Sequence, residues 1–96
     1  MTINDASGIY VIRANQTDFP AFILDPTKPT YVMIAAVSGN ITVQLRGVDN
    51  NLIEQVPINK DGASLLHRDV GLRFVEVTRT SEEAAKFVVY INTGAE

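Results

Sequence analysis

Cysteine is absent from the chain, and that one absence removes disulfide scaffolds, zinc–thiolate sites and thiol nucleophiles together. Small secreted domains are often stapled by disulfides, so the lack points to a reducing compartment or an assembled particle. Tryptophan is absent too, and with it the side chain that sugar-binding modules most often use to stack pyranose rings. There is no excess of basic charge: eight Lys and Arg are scattered against eleven Asp and Glu, for a net charge of −3. Nucleic-acid binding needs a basic patch, and none forms along this chain. The longest apolar run, Tyr31 to Val37, is far too short to cross a bilayer, and the first eight residues lack a basic segment followed by an apolar one. Neither a signal peptide nor a membrane contact is expected. Finally, no amphipathic helical window of useful length appears. Parallel sheets need crossover helices, so any sheet here must be antiparallel.

What is present is a rhythm of strands and turns. Ninety-six residues with 46% apolar content make one soluble domain. Strand-type runs recur at close to ten-residue spacing: Ile9 to Ala14, Phe19 to Leu24, Tyr31 to Val37, Ile41 to Arg46, Leu52 to Ile58, Ala63 to His67, Leu72 to Thr78 and Phe87 to Asn92. Pro20 and Pro57 cannot donate to a ladder, which suggests a sheet edge or a strand start at Pro20 and a sheet edge at Pro57. Ser38-Gly39-Asn40 reads as a tight hairpin turn, and Gly62 as the positive-φ residue of the turn 59–62. Thr80 and Glu83 have capping-box spacing, which predicts at most one turn of helix. The expected fold is an all-β, antiparallel two-sheet sandwich of seven or eight strands with Greek-key or jelly-roll connections, or else a small barrel. Residues 1–8 read as a polar arm suited to lie across a neighbour, and residues 9–96 as the domain.

Chemistry-bearing residues are few. His67 is the sole histidine, and Ser64 and Asp69 lie near it in sequence. On one strand Ser64 and His67 point to opposite faces, so they do not make a catalytic triad. Asp49, Asp61 and Asp69 sit at turns, where Asp bonds its own backbone, and the alternating pattern of a calcium loop is missing. No catalytic residue, metal ligand or cofactor site is predicted. A small carbohydrate-binding module, using loop Asp and Asn residues with Tyr10, Tyr31 or Tyr90, is the alternative reading.

The informative departure is apolarity on both sides of a strand. A free-standing sandwich shows water one side of each sheet, so its strands alternate. Ile41 to Arg46 obeys this. Tyr31-Val32-Met33-Ile34-Ala35-Ala36-Val37 is apolar throughout, and Phe87-Val88-Val89-Tyr90-Ile91 carries Val88 and Tyr90 opposite a complete core set. Either loops and the arm cover these outer sides, or another subunit does. Tyr31, Met33, Val88 and Tyr90 are the predicted contact residues, since aromatics and Met are enriched at interface centres.

The hairpin-rich stretches Gly39 to Gly47, Leu72 to Val77 and Phe87 to Ile91 resemble the small accessory β-proteins of tailed-bacteriophage virions. Capsid decoration (cement) proteins and neck or tail accessory proteins are the examples. The resemblance implies a non-enzymatic virion component, assembled in the host cytoplasm, that stabilises a shell by binding protein subunits as a homo-oligomer.

Overall fold

Alternation sets the sandwich. Along β4 (Ile41–Arg46), Ile41, Val43 and Leu45 are fully buried while Thr42, Gln44 and Arg46 face outward. The same period of two runs through β3 (Thr30–Ser38), β7 (Phe74–Arg79) and β8 (Ala85–Thr93), each burying every second residue. The computed structural model describes residues 5–93, and the remaining strands are β1 (Asp5–Ile12), β2 (Asp18–Ile23), β5 (Leu52–Ile58) and β6 (Ala63–Arg68).

These eight strands form two four-stranded antiparallel sheets, ordered β1-β8-β3-β6 and β2-β7-β4-β5. The all-β sandwich expected from sequence is the observed fold, with jelly-roll connectivity. The barrel alternative is not formed, because each sheet keeps two open edges. Pro20 lies in β2 and Pro57 in β5, both edge strands, as their missing N–H groups require. The β2 ladder shifts register between Phe19 and Phe22, around that proline.

Between the sheets lies a dry core. Phe87, Leu24, Ile34, Leu45, Val75 and Ile91 are all buried there. At one end Tyr10, Phe19, Phe22 and Phe87 form an aromatic cluster, with ring centroids 5.0–5.8 Å apart. Thr30 and Thr93, buried on adjacent strands, satisfy one another through a 3.2 Å hydroxyl bond. Where β5 and β6 border the open side, Arg68 donates to Glu54 at 2.8 Å and ties the two sheets together.

Four local expectations differ from the structure. Ser38-Gly39-Asn40 is not a hairpin: β3 and β4 belong to different sheets, so this turn is an arch between layers. Gly39 takes φ of 70°, and a Cβ there would stand 2.8 Å from the Ala84 carbonyl oxygen, so the arch requires glycine twice over. In the turn before β6 the positive φ falls on Asp61, at 68°, rather than on Gly62. Asp tolerates that region. Gly62 is needed for close approach, since its Cβ would meet the Asn59 carbonyl oxygen at 2.9 Å.

Residues 80–84 form no helical turn. The Arg79 guanidinium binds the carbonyls of Ser81 and Glu82, and the Ser81 hydroxyl accepts the Asn40 N–H at 3.0 Å, so the segment is held as an open loop. Finally, the first strand begins at Asp5, not Ile9. Four residues of the expected arm pair with β8, and residues 1–4 lie outside the described residues.

Candidate interaction face

In a sheet, every side chain not pointing into the core points away from it. The inner strands of the β1-β8-β3-β6 sheet are β8 and β3, the two with apolar residues on both sides. Antiparallel register places their outward residues in rows. Met33 stands between Tyr90 on β8 and Leu65 on β6, while Ala35 stands between Val88 and Ala63. Val88 in turn faces Ile9 on β1. Tyr31, Met33, Val88 and Tyr90, chosen from sequence, therefore share one surface. The described chain leaves that surface open: exposure is 47% at Met33, 45% at Tyr90, 62% at Ile9 and 71% at Leu65. Neighbouring side chains half-bury Val88.

Polar groups lie at its margins. Lys86 is exposed on β8, across from Val11. His67 stacks on Tyr31, with ring centroids 4.3 Å apart and planes 25° from parallel. Its Nε2 lies 3.4 Å from Asp69 Oδ1, an ion pair only when the imidazole is protonated. The stack covers one side of the Tyr31 ring. Ser64 points inward from the same strand, so Ser64 and His67 are on opposite sides, as the strand period dictates.

The outer side of the other sheet differs in kind. Gln44 donates to Gln55 at 3.0 Å across the β4–β5 pair. Arg46 reaches Glu76 at 2.6 Å, Gln44 at 3.0 Å and the Asn50 carbonyl at 3.1 Å. These polar groups bond to one another across the middle of the surface, and Phe74 and Leu52 flank Arg46 at its end.

Groups suited to chemistry are dispersed. Asp49, Asp61 and Asp69 do not converge: among the described residues no three His, Cys, Asp or Glu side chains stand close enough to hold a metal ion, and no pocket opens. Asp25 sits in a loop, its carboxyl held below the ordinary carboxylate range by the Thr27 hydroxyl at 2.6 Å and the Thr27 N–H at 3.0 Å. Tyr10 belongs to the core aromatic cluster, which removes it from the three tyrosines considered for sugar stacking.

Sequence reasoning missed three residues of the surface: Ile9, Val11 and Leu65, all exposed. The signal was present for two of them, since Ile9-Tyr10-Val11-Ile12 is apolar throughout, like the two runs that were recognised. Leu65 becomes a member only through its pairing with Met33.

No protein-family model and no curated protein matches this chain. Solved structures do match in shape. The cupin domain of Schizosaccharomyces pombe Cnp3 aligns with a TM-score of 0.63 at 16% identity, covering 94% of this chain and 56% of that one. The capsular polysaccharide assembling protein CapF from Staphylococcus aureus gives 0.61 at 14% identity, over 96% of this chain and 25% of that one. An oxalate oxidase bound to the substrate analogue glycolate gives 0.59 at 14% identity, over 96% and 43%. This chain thus spans about half or less of each neighbour's length. One of these neighbours is by name an oxidase. At such identities the likeness is one of fold alone: the chain is a jelly-roll β-sandwich, similar in shape to a cupin domain.

Proposed function

We propose that this chain is a non-enzymatic interaction domain that binds other protein subunits through the outer side of its β1-β8-β3-β6 sheet. One observation carries the reading. Tyr31, Met33, Leu65, Tyr90, Ile9 and Val11 are exposed together on one sheet surface, while the other sheet carries a hydrogen-bonded polar network across the middle of its outer side, with Phe74 and Leu52 only at its end. Monomeric soluble proteins rarely expose a contiguous apolar surface of this kind, and those that do use it for contact. Three of the six, Tyr31, Met33 and Tyr90, are aromatic or Met, the residue types enriched at interface centres.

The interior supports the same reading from the other side. A reaction within the sandwich needs polar groups that converge on a cavity. Here the space between the sheets is filled by aliphatic and aromatic side chains, and the sole histidine lies outside. A sugar-binding role draws support from Tyr31 and Tyr90 alone, and the Tyr31 ring is already stacked on one side. Binding to a larger shell, as in the decoration proteins the sequence resembles, is the setting we propose for this surface. Its support is the sequence resemblance and the apolar sheet, for the structural neighbours are cupin-like domains.

Hydroxyl-radical footprinting tests the reading. Tyr31, Met33 and Tyr90 are expected to oxidise readily in the dilute isolated chain and to be protected in the native assembly. Equal oxidation in both states refutes it.

A further inference from the structure

The register of the exposed sheet carries a pattern of its own. In strand order β1, β8, β3, β6, one row reads Ile9, Val88, Ala35, Ala63: two large residues, then two small ones. The next row reads Ser7, Tyr90, Met33, Leu65. Reversing the strand order of a facing sheet puts large against small along the first row and sets the aromatic ring of the second row on its thioether. Ile9 then meets Ala63, Val88 meets Ala35, and Tyr90 meets Met33, a favourable sulfur–aromatic contact. Self-complementarity of this sort is what an isologous two-fold contact requires, with residue i on j and j on i.

From this we infer that the sheet is covered by a second copy of the chain, related by a two-fold axis along the strands, midway between β8 and β3. The inference deepens the reading above by naming the occupant, and it rests on that reading.

Charge and size agree. Lys86 is the single formal charge of these rows and the flanking Val11–Lys86 pair, and the row through Tyr31 ends at Asp5 on β1 and His67 on β6, so charge is confined to the margins and no oppositely charged partner is called for. Two like chains of net charge −3 repel only weakly through such a neutral surface. Four strands at about 4.8 Å spacing and seven or eight residues of about 3.3 Å rise give a footprint of about 500 Å². Both copies together reach about 1,000 Å², the lower bound for a specific interface. Aligned packing of two such sheets is an ordinary sandwich contact, with side chains of the two surfaces interdigitating.

The absence of native cysteine makes the arrangement directly testable. Ile9 and Ala63 lie on the two edge strands of one sheet, three strand spacings or about 14 Å apart. Side-by-side thiols that far apart on one sheet are out of reach of a short bifunctional thiol reagent such as dibromobimane, so Ile9→Cys and Ala63→Cys cannot be joined within one chain. Across the inferred axis the two thiols point at each other from sheets about 10 Å apart, which brings them within its reach. The expected results are a two-chain mass for the wild type in sedimentation equilibrium at about 100 μM, and a covalent dimer on treating the double variant with that reagent. Neither single variant is expected to cross-link, while circular dichroism confirms that each folds. Cross-linking by Ile9→Cys alone overturns the stated axis, and a wild type that stays monomeric overturns the second copy. If that monomer still shows Tyr31, Met33 and Tyr90 protected in its native assembly, only this inference fails. If it shows no protection, the interaction reading fails with it.

Discussion

The two outer surfaces of this sandwich are built on the same scaffold and solve different problems. Each is a four-stranded antiparallel sheet with its other side buried in a common core. On β2-β7-β4-β5 the middle of the outward side is held by Gln44, Gln55, Arg46 and Glu76, which bond to one another, with Phe74 and Leu52 beside Arg46 at its end. On β1-β8-β3-β6 the equivalent positions hold Met33, Tyr90, Leu65 and Ile9, large apolar side chains left exposed. Fold stability needs only the shared interior, so the difference between the exteriors records what each is for. A surface whose polar groups are already satisfied has little to gain from a partner. An apolar one gains at about 25 cal/mol for each Å² removed from water.

The comparison is sharpest within one strand. Phe87→Ala removes a fully buried ring from the core and is expected to cost about 3–5 kcal/mol in urea unfolding. Tyr90→Ala, three residues along on the exposed side, is expected to change the stability of the dilute isolated chain by less than about 0.5 kcal/mol. A large cost at Tyr90 would mean that the outer side is packed within the chain itself, and the contrast between surfaces would collapse.

Next comes a direct exchange of character. Met33→Glu buries a charge in any contact made by the apolar sheet and is expected to weaken association by about a hundredfold or more, about 3 kcal/mol, read by sedimentation. Thr42→Glu on the polar sheet is expected to leave association unchanged. If both variants act alike, the two surfaces do not differ in function.

A smaller effect is expected at Arg46→Ala. Its partners are half-exposed, so loss of the Glu76 ion pair and the Gln44 bond should cost about 1 kcal/mol, less in high salt, with no change in association. The smallest effect concerns Asp25, outside both sheets. Its carboxyl is held below the ordinary value of 3.8 by Thr27, so the contact stabilises the fold above that pH and is lost as pH falls through the lower, folded-state value. Asp25→Asn should therefore flatten the acid limb of the stability profile slightly and leave neutral pH behaviour of both surfaces intact.

Much of this contrast was legible in sequence because it depends on a local property. Strict alternation in Ile41 to Arg46 and its failure in Tyr31 to Val37 and Phe87 to Ile91 can be read residue by residue. Pro20 and Pro57 likewise marked edges through their own chemistry. What was not legible depends on residues distant in the chain. The turn Ser38-Gly39-Asn40 has the composition of a hairpin, and only the partners of β3 and β4 show that it bridges two layers. Capping-box spacing at Thr80 and Glu83 was overridden by Arg79, whose guanidinium takes the carbonyls of the loop. Leu65 enters the candidate site only through the register of β6 on β3.

The same topology bears on how the chain reaches its fold. β4 and β5 are the one pair of consecutive strands that share a sheet. Every other ladder joins segments far apart, as when Thr30 bonds Thr93 across 63 residues of chain. Loop closure on that scale precedes most of the favourable contacts, so refolding should be slow for so small a domain, on the order of milliseconds to seconds. During that interval β3 waits for β8, and the most apolar strand of the molecule is without its neighbour on either flank. Concentration during refolding, more than temperature, should then decide between native yield and aggregation.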